Sequence, residues 1–417
     1  MRTIYFSIIL LLSLQSYSIY AEQHHPLAEL WNVDDTEVPK LLEIERNLTA
    51  IDDILSPILE QDDFISSFGG SYIDMFKIHI VVNTVKFSKR DDLLALPQIK
   101  PFQDFLFFKK ANHSMSQIKS NFEQIKLQIY LTEPKRVFIF SNMVDNNNFL
   151  FFLDGNHNNT EFINATKPFN PTIIYEDNPP VSQNTKRSRY DVDSRELKFK
   201  VLGGDGLYND QSGGVCSVGF WVTDRFNPNE FYIITAGHCF DKDVSRNEFS
   251  YAPWGAETPA LYIGPMEISM INPYDFGIIY LNGKDVAPTF AIRNDDADQY
   301  KELIINDGAP ASSVGIHMCK SGHKTHLSCG YVFGLNGIYI EEKDDMKEDL
   351  IITNMKSDFG DSGGTVFSFV SPQNLDSVVG RGINFGGGHG IEAAQSLNTI
   401  FIELEKLSRY FKLYLGD

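Results

Sequence analysis

A glycine-rich segment from Asp358 to Gly364 carries the residue types that a nucleophilic serine needs. Its three glycines allow backbone angles and close approaches that a Cβ would block. Such a turn can present the Ser362 hydroxyl to a substrate, while the backbone amides of Gly360 and Ser362 face the oxygen that becomes negative during acyl transfer. Because glycine- and serine-rich segments are often only loops, this motif needs a second element to support it.

The segment Thr235 to Cys239 supplies that element, because it places His238 at the end of the apolar run Phe231 to Thr235. A neutral imidazole can take the serine proton and later return it to a leaving amine. A single histidine beside a cysteine more often has a structural role. The serine motif downstream favours the catalytic interpretation of His238.

A carboxylate must fix the imidazole tautomer, and Asp275 is the candidate. It opens the apolar run 276–281, whereas Asp241, Asp243 and Asp285 lie in polar, turn-like segments. The chain order histidine, aspartate, serine is that of chymotrypsin and differs from the orders in subtilisin and the α/β-hydrolases.

Short strand-like runs separated by turn residues follow position 198, which predicts an antiparallel β architecture. Apolar residues recur at helical spacing between Asn398 and Leu415, which predicts a C-terminal helix. The preceding part is predicted to be α+β. Its expected elements are a helix or helical pair over Val38 to Leu59, a strand over Ser71 to Val85, a helix over Ser116 to Ile129 and a strand pair over Arg136 to Ser141 and Asn148 to Leu153.

The region from about 198 to 417 resembles the streptogrisin and α-lytic protease branch of the chymotrypsin-like serine proteases. Besides the three candidate catalytic segments, the matching motifs are Val201 to Gly204, Val215 to Phe220 and Met318 to Gly330. The resemblance implies a mostly β fold of two six-stranded antiparallel β-barrels with a C-terminal helix, and a triad in the cleft between the barrels.

The same resemblance implies the disulfides Cys216–Cys239 and Cys319–Cys329. It also implies that Asp361 pairs with Lys320, at a position where the family usually has arginine. Lysine lacks the planar two-pronged contact of arginine. If that pair forms, the oxyanion hole does not depend on a freed N-terminal ammonium group, and control of the zymogen would lie in the preceding region.

Residues 22–197 are interpreted as a pro-domain that ends in a basic processing linker near 178–197, and residues 198–417 as the protease domain. The segment Phe68 to Asp74 is similar to a repeated element of α-lytic-type pro-domains, which assist folding and block the cleft. The alternative is an unrelated N-terminal binding domain. The Lys186 to Arg189 stretch is either a processing site or an ordinary linker.

Targeting features predict export. Residues 1–21 have a positive start, a short apolar run and small residues near Ala21, as in a secretory signal peptide. No later stretch reaches transmembrane length, so we expect a secreted, extracellular and monomeric protein without a membrane partner. The sequons predict N-glycosylation at Asn47, Asn112, Asn158 and Asn164.

The composition of the chain limits the kinds of partner that we expect it to bind. The 417 residues suggest two or three domains, and a net charge of −19 disfavours nucleic-acid binding. Four cysteines in a secreted chain suggest two disulfides, with three pairings open, and their spacings fit no short zinc motif. Nothing calls for a metal or organic cofactor, so protein or peptide substrates and the chain's own pro-domain are the expected partners.

Three departures from the family limit what carries over. No cysteines remain for a third disulfide, Phe385 stands where a small hydrophilic residue is expected, and the residues 356–359 that should line the specificity pocket are unusual. The leading hypothesis is a secreted serine endopeptidase made as a zymogen. The alternatives are a catalytically silent homologue that acts as a binding protein and an esterase on another fold, whose histidine would follow its serine.

Overall fold

The computed structural model describes residues 24–153, 157–176, 198–254, 256, 258–297, 299–388 and 390–416. The expected signal peptide over residues 1–21 and the expected linker near 178–197 lie outside these ranges.

The helices lie mainly in the N-terminal part. The α-helices of the described residues are α1 Pro26–Trp31, α2 Val38–Leu59, α3 Arg90–Leu94, α4 Met115–Thr132, α5 Thr160–Thr166 and α6 Leu397–Lys406. Helix α2 buries Leu42, Leu48 and Leu55 on one face, as its apolar spacing predicts. Helix α4 begins at a capping box, in which Ser114 and Gln117 satisfy each other's backbone amides.

Strands account for most of the remaining elements. They are β1 Phe68–Asp74, β2 His79–Thr84, β3 Leu106–Lys110, β4 Val137–Asn142, β5 Asn147–Phe152, β6 Thr172–Tyr175, β7 Phe199–Lys200, β8 Gly206–Asn209, β9 Val215–Ser217, β10 Phe220–Asp224, β11 Phe231–Thr235, β12 Glu248–Ala252, β13 Leu261–Met270, β14 Phe276–Tyr280, β15 Val286–Ala287, β16 Ala291–Arg293, β17 Glu302–Gly308, β18 His317–Gly322, β19 His326–Glu342, β20 Asp345–Thr353, β21 Thr365–Phe369, β22 Ser377–Gly388, β23 Ile391–Ser396 and β24 Phe411–Leu413. The fold is therefore mostly β, as predicted.

Two large sheets hold the candidate catalytic segments. One has the strand order β24-β10-β11-β14-β13-β12-β8-β9, in which β11 and β14 are neighbours. In the other, β21, β18, β19, β20, β23 and β22 each pair antiparallel with the next, and β22 pairs with β21. Helix α6 follows β23 and packs against β22 and β23.

The N-terminal part joins the second sheet directly. Strand β4 pairs antiparallel with β19 in the register Ile139 opposite Ile338, and β5 and β6 extend the same sheet outward. Strands β1, β2 and β3 form a separate three-stranded sheet. A single apolar core includes residues from both parts, from Leu27 in α1 to Leu404 in α6. The sheet and the core thus continue across the expected domain boundary.

Two element predictions are wrong in extent. The segment 71–85 forms the two strands β1 and β2, because the chain turns between them and Ile78 takes a positive φ of 56°. The C-terminal helix ends at Lys406 instead of continuing to Leu415. Ser408 has a φ of 60°, and Phe411 then pairs with Asp224 as part of β24.

No helix among the described residues is both long and apolar enough to cross a membrane. The four sequon asparagines, Asn47, Asn112, Asn158 and Asn164, are all exposed.

Candidate active site

The register of two neighbouring strands brings His238 and Asp275 together. Strands β11 and β14 run antiparallel with Thr235 opposite Gly277. His238 lies three residues beyond the end of one strand, and Asp275 immediately precedes the other, so both side chains lie at the same edge of the sheet. Both oxygens of Asp275 then contact His238: Oδ1 accepts from the backbone N–H at 2.9 Å, and Oδ2 lies 2.5 Å from Nδ1.

The surroundings of Asp275 fix its orientation. Its side chain is 0% exposed, and its backbone N–H donates to Gln395 Oε1 at 3.0 Å. His238 keeps 39% of its side chain exposed. Packing around the imidazole lowers the pKa of His238, but the charge and hydrogen bond of Asp275 more than offset this, so the pKa is raised above 6.5. The pair can therefore hold a proton transiently on the imidazole.

The serine turn packs against the histidine segment. Gly363 has a φ of 82°, and a Cβ at this position would overlap Thr235 Oγ1 and lie 2.7 Å from Ala236 N. Only glycine allows both the angle and this approach. Ser217 links the two segments, since its N–H donates to Ser362 O at 2.7 Å and its carbonyl accepts from Thr235 Oγ1 at 2.9 Å.

Two amides of the turn are free to bind an anion. From residue 358 to 364, the backbone N–H groups of Gly360 and Ser362 have no hydrogen-bond partner within the described residues, whereas their neighbours are all satisfied. Gly360 has a φ of 105°, and Ser217 Oγ donates to its carbonyl at 2.7 Å. The two predicted oxyanion donors are therefore available in this turn.

The Ser362 side chain is half-buried and takes no hydrogen bond from the part of the chain that the structure describes. His238 and Ser362 are thus connected through Thr235 and Ser217, not by a direct hydrogen bond. Hydrogen bonds between a nucleophile and its base are often long in unliganded enzymes and shorten when substrate binds.

Asp361 and Lys320 form a fully enclosed ion pair directly before the candidate nucleophile. Lys320 Nζ lies 2.9 Å from Asp361 Oδ2, and both side chains are 0% exposed. Asp361 also accepts hydrogen bonds from the backbone N–H groups of Lys324, Thr325 and Asp358. Burial opposes ionisation of Asp361, but the Lys320 charge and these hydrogen bonds hold its pKa below 3.8. The pair fixes the turn that carries Ser362.

Both implied disulfides are present, as Cys216–Cys239 and Cys319–Cys329. The first ties β9 to the segment that contains His238. The second joins β18 to β19 and lies one residue before Lys320 in the sequence.

The unusual Phe385 lies directly beside His238. The two ring centroids are 5.9 Å apart, and the phenyl ring meets the imidazole edge-on. Tyr339 of β19 also contacts Phe385, at a centroid distance of 5.4 Å. An aromatic cluster therefore occupies the space where the family is expected to have a small hydrophilic residue.

Sequence reasoning missed several residues at this site. Lys347 is 5% exposed, interacts electrostatically with Asp275 and His238, and forms an ion pair with Asp345. The charged stretch from Glu341 to Asp349 is typical of a solvated hairpin tip, yet Lys347 within it is buried and acts electrostatically on the candidate catalytic aspartate. Gln395, which accepts from Asp275 N–H, and Ser217 were missed as well. No local motif marks them, because their roles depend on contacts between distant segments.

Comparison with known proteins agrees with the resemblance seen in the sequence. No family model matches the chain. Streptogrisin-D of Streptomyces griseus is 29% identical over 187 residues, which cover 45% of this chain and 43% of that relative. Serine protease 2 of Streptomyces fradiae is 28% identical over 187 residues, covering 45% of this chain and 99% of the relative.

Solved structures of bacterial proteases are also similar. Thermobifida fusca protease A is 20% identical, covers 52% of this chain with all of its own, and has a TM-score of 0.40. The Nocardiopsis protease is 22% identical, covers 52% of this chain with 99% of its own, and also has a TM-score of 0.40. The match spans less than half the length of streptogrisin-D and nearly all of serine protease 2. Over the matched region, the chain is similar to these streptogrisin-type serine proteases.

Proposed function

We propose that this protein is a serine endopeptidase in which Ser362, His238 and Asp275 form the catalytic triad. The observation that carries the proposal is the convergence of the His238–Asp275 pair and the glycine-shaped Ser362 turn, whose two free amides remain available. The named relatives are serine proteases, which supports the same conclusion.

The reaction follows from this geometry. Ser362 Oγ bonds to the peptide carbonyl carbon while its proton moves to His238 Nε2, and Asp275 stabilises the imidazolium through Nδ1. The carbonyl oxygen becomes negative and accepts hydrogen bonds from the backbone amides of Gly360 and Ser362. Each of these donors lowers the barrier by about 2.7–4 kcal/mol. When the C–N bond breaks, His238 returns the proton to the leaving amine. Water then repeats these steps on the acyl-enzyme and releases the acid.

The finer architecture belongs to the proposal. We assign the two large sheets to the expected pair of six-stranded β-barrels, with the catalytic residues in the cleft between them. The cyclic order of pairing among β18–β23 supports the second barrel. Asp361 and Lys320 would hold the oxyanion turn in place, so that activation needs no new N-terminal ion pair.

We assign residues 22–197 as a pro-region that aids folding and blocks the cleft of the protease domain, residues 198–417. Three contacts support this role. Leu153 and Glu176 lie against Gly388, three residues after Phe385 on β22. The ring of Phe138 in β4 packs against Tyr339 at a centroid distance of 4.5 Å, and Tyr339 contacts the Phe385 that lies beside His238. The N-terminal part thus adjoins the candidate catalytic residues from one side.

The remaining assignments follow from the same proposal. The protein would be made as a zymogen, secreted, glycosylated at its exposed sequons and active as a monomer on protein or peptide substrates. Its two disulfides are consistent with an oxidising compartment.

The test is covalent labelling of the processed protein with a fluorophosphonate, followed by intact mass measurement. Wild type should gain one adduct, Ser362→Ala should gain none, and the exposed control Ser312→Ala should react like wild type. A folded, processed wild type that stays unlabelled would contradict the proposal and favour a silent homologue that acts as a binding protein.

A further inference from the structure

Glu392 is an enclosed acidic residue that the catalytic mechanism does not use. Its side chain is 2% exposed, and it lies on β23 between Thr353 of β20 and Gly387 of β22. Its carboxyl group interacts with the side chains of Ser357 and Asn384. Glu392 therefore contacts both segments that border the serine turn.

Each of its two neighbours belongs to a segment close to Ser362. Ser357 lies five residues before it, in the stretch that the sequence assigns to the specificity pocket. The backbone of Asn384 makes two hydrogen bonds to the serine turn. Its backbone carbonyl accepts from Gly363 N–H at 2.7 Å, and its backbone N–H donates to Gly364 O at 2.8 Å. Glu392 is therefore connected to the turn that carries Ser362 through one intervening residue, Asn384.

Two buried acceptor oxygens at this place lack a donor. Neither Glu392 Oε1 nor Asn384 Oδ1 has a hydrogen-bond partner among the described residues. A buried polar atom without a partner costs about 1–3 kcal/mol, so such atoms are rare unless a ligand satisfies them. Two of them on adjacent strands indicate a place for a group with several donors.

The strand that carries Asn384 borders open space. A Cβ at Gly386, which has a φ of 131°, would meet no heavy atom within 4 Å, whereas one at Gly387 would overlap Ile391 O. Strand β22 is therefore packed against β23 at Gly387 and borders a gap at Gly386, two residues after Asn384. A substrate side chain could enter along Gly386.

The charge of Glu392 depends on what fills that gap. Burial raises the pKa of Glu392 to about 8, although hydrogen bonds from Ser357 and Asn384 and the charge of Lys320 favour the ionised form. A cation in the gap would stabilise the carboxylate and remove the cost of burying it. An ammonium or guanidinium group also carries enough donors for both unpaired oxygens.

We infer that Glu392, together with Asn384 and Ser357, forms the end of the pocket that receives the side chain before the scissile bond, and that it selects lysine or arginine. This inference rests on the proposed endopeptidase activity. The expected linker near 178–197 contains Lys186, Arg187 and Arg189, so the chain itself carries the basic side chains that such a pocket would select.

Peptide nitroanilides that differ only in the residue before the cleaved bond test the inference. Arginine, lysine, glutamine, leucine and glutamate would be compared on the processed protein, with rates normalised to the fraction that a fluorophosphonate labels. We expect the highest kcat/KM for arginine or lysine. Glu392→Gln should lower the arginine-to-leucine ratio of kcat/KM roughly 30-fold or more, because a buried cation then loses its counter-charge. The exposed control Glu302→Gln should keep the wild-type ratio.

A pH series on wild type gives a second measurement that needs no variant. The arginine-to-leucine ratio should rise with pH through about 8, as free Glu392 ionises, and then level off. Arginine keeps its charge over this range. A ratio that is independent of pH between 6 and 9 would count against Glu392 as the selecting group.

The outcomes separate this inference from the proposed function. Labelling at Ser362 together with a preference for apolar or acidic side chains, or an unchanged ratio in Glu392→Gln, overturns the specificity inference alone. Absence of labelling in folded, processed protein overturns the endopeptidase itself.

Discussion

Two opposite charges act on His238 at the level of single residues. The Asp275 carboxylate raises the pKa of the imidazole, and the ammonium of Lys347 lowers it. Burial lowers the pKa of Lys347, against the attraction of Asp275 and Glu341. The ammonium group is held by Asp345 and lies 3.4 Å from Asn272 Oδ1, three residues before Asp275. Lys347 therefore acts on the proposed general base through its charge.

Replacing Lys347 with methionine should move the acid limb of the reaction to higher pH. Without the ammonium group the imidazolium is easier to form, so the pKa of His238 rises, and Asp345, left without its partner, acts in the same direction. We expect a shift on the order of 0.5 pH unit, as for charges several ångströms apart at a partly solvated site. The rate of fluorophosphonate labelling between pH 5 and 9 measures it.

Lys343→Met provides the matched control, because Lys343 is an exposed lysine of the same hairpin and pairs with Glu133. Its profile should coincide with that of wild type. If Lys347→Met leaves the acid limb in place or moves it to lower pH, Lys347 does not tune His238.

At the level of elements, the site depends on how the serine turn meets the end of β11. Gly363 faces Thr235 and Ala236 so closely that the turn and the histidine segment form one packed unit. Ser217 at the end of β9 holds both with hydrogen bonds. The positions of Ser362 and His238 thus follow from backbone contacts more than from their own side chains.

Gly363→Ala should separate these two elements. The added methyl group would meet the backbone of Ala236, and alanine would have to adopt a φ of 82°. Strain and overpacking together should lower the free energy of unfolding by about 3 kcal/mol or more and abolish labelling of Ser362. Urea unfolding and labelling measure the two effects.

The control for this change is Gly214→Ala, since Gly214 is exposed and a Cβ there would meet only Ser212 Oγ at 3.4 Å. It should behave like wild type within about 0.5 kcal/mol. Normal labelling in Gly363→Ala would show that the close packing of the turn is dispensable.

Local pattern predicts much of this site. The sequence predicts a helix or helical pair over Val38 to Leu59, where the structure has the single helix α2, and the two apolar runs that form β11 and β14 place His238 and Asp275 at strand ends. Their meeting needed the register between those strands, which periodicity alone does not give.

What the sequence could not provide came from tertiary context. Periodicity continued the last helix through Leu407 and Phe411, but Phe411 pairs with β10 because the sheet offers it a partner. Likewise, the charged stretch around Lys347 reads as a solvated loop. Within it Lys347 is buried, and the next residue is held by distant segments: Glu348 N–H donates to Pro273 O, and the Glu348 side chain pairs with Lys126. Both outcomes depend on segments far away in the chain.

At the level of the whole molecule, the two parts of the chain share buried polar contacts as well as a sheet. Glu45 of α2 is 4% exposed, and its carboxylate accepts from His317 N–H at 2.8 Å and contacts His317 Nδ1. The other ring nitrogen of His317 accepts from Phe369 N–H at 2.9 Å. The imidazole thus carries its proton on Nδ1 and bridges α2 to β21. Leaving such donors without an acceptor is costly at an interface that excludes water.

Glu45→Ala should therefore weaken the hold of residues 24–176 on residues 198–416 once the chain between them is cut. Two donors of His317 would lose their acceptor, at about 1–3 kcal/mol, which corresponds to a roughly 5- to 150-fold weaker association. Size-exclusion chromatography of the processed protein should then release the N-terminal fragment, and the labelling rate of Ser362 should rise as the proposed block of the cleft is relieved. Glu43→Ala, an exposed change on the same helix, should retain the fragment. Release without faster labelling would mean that the N-terminal part holds the protease without blocking it.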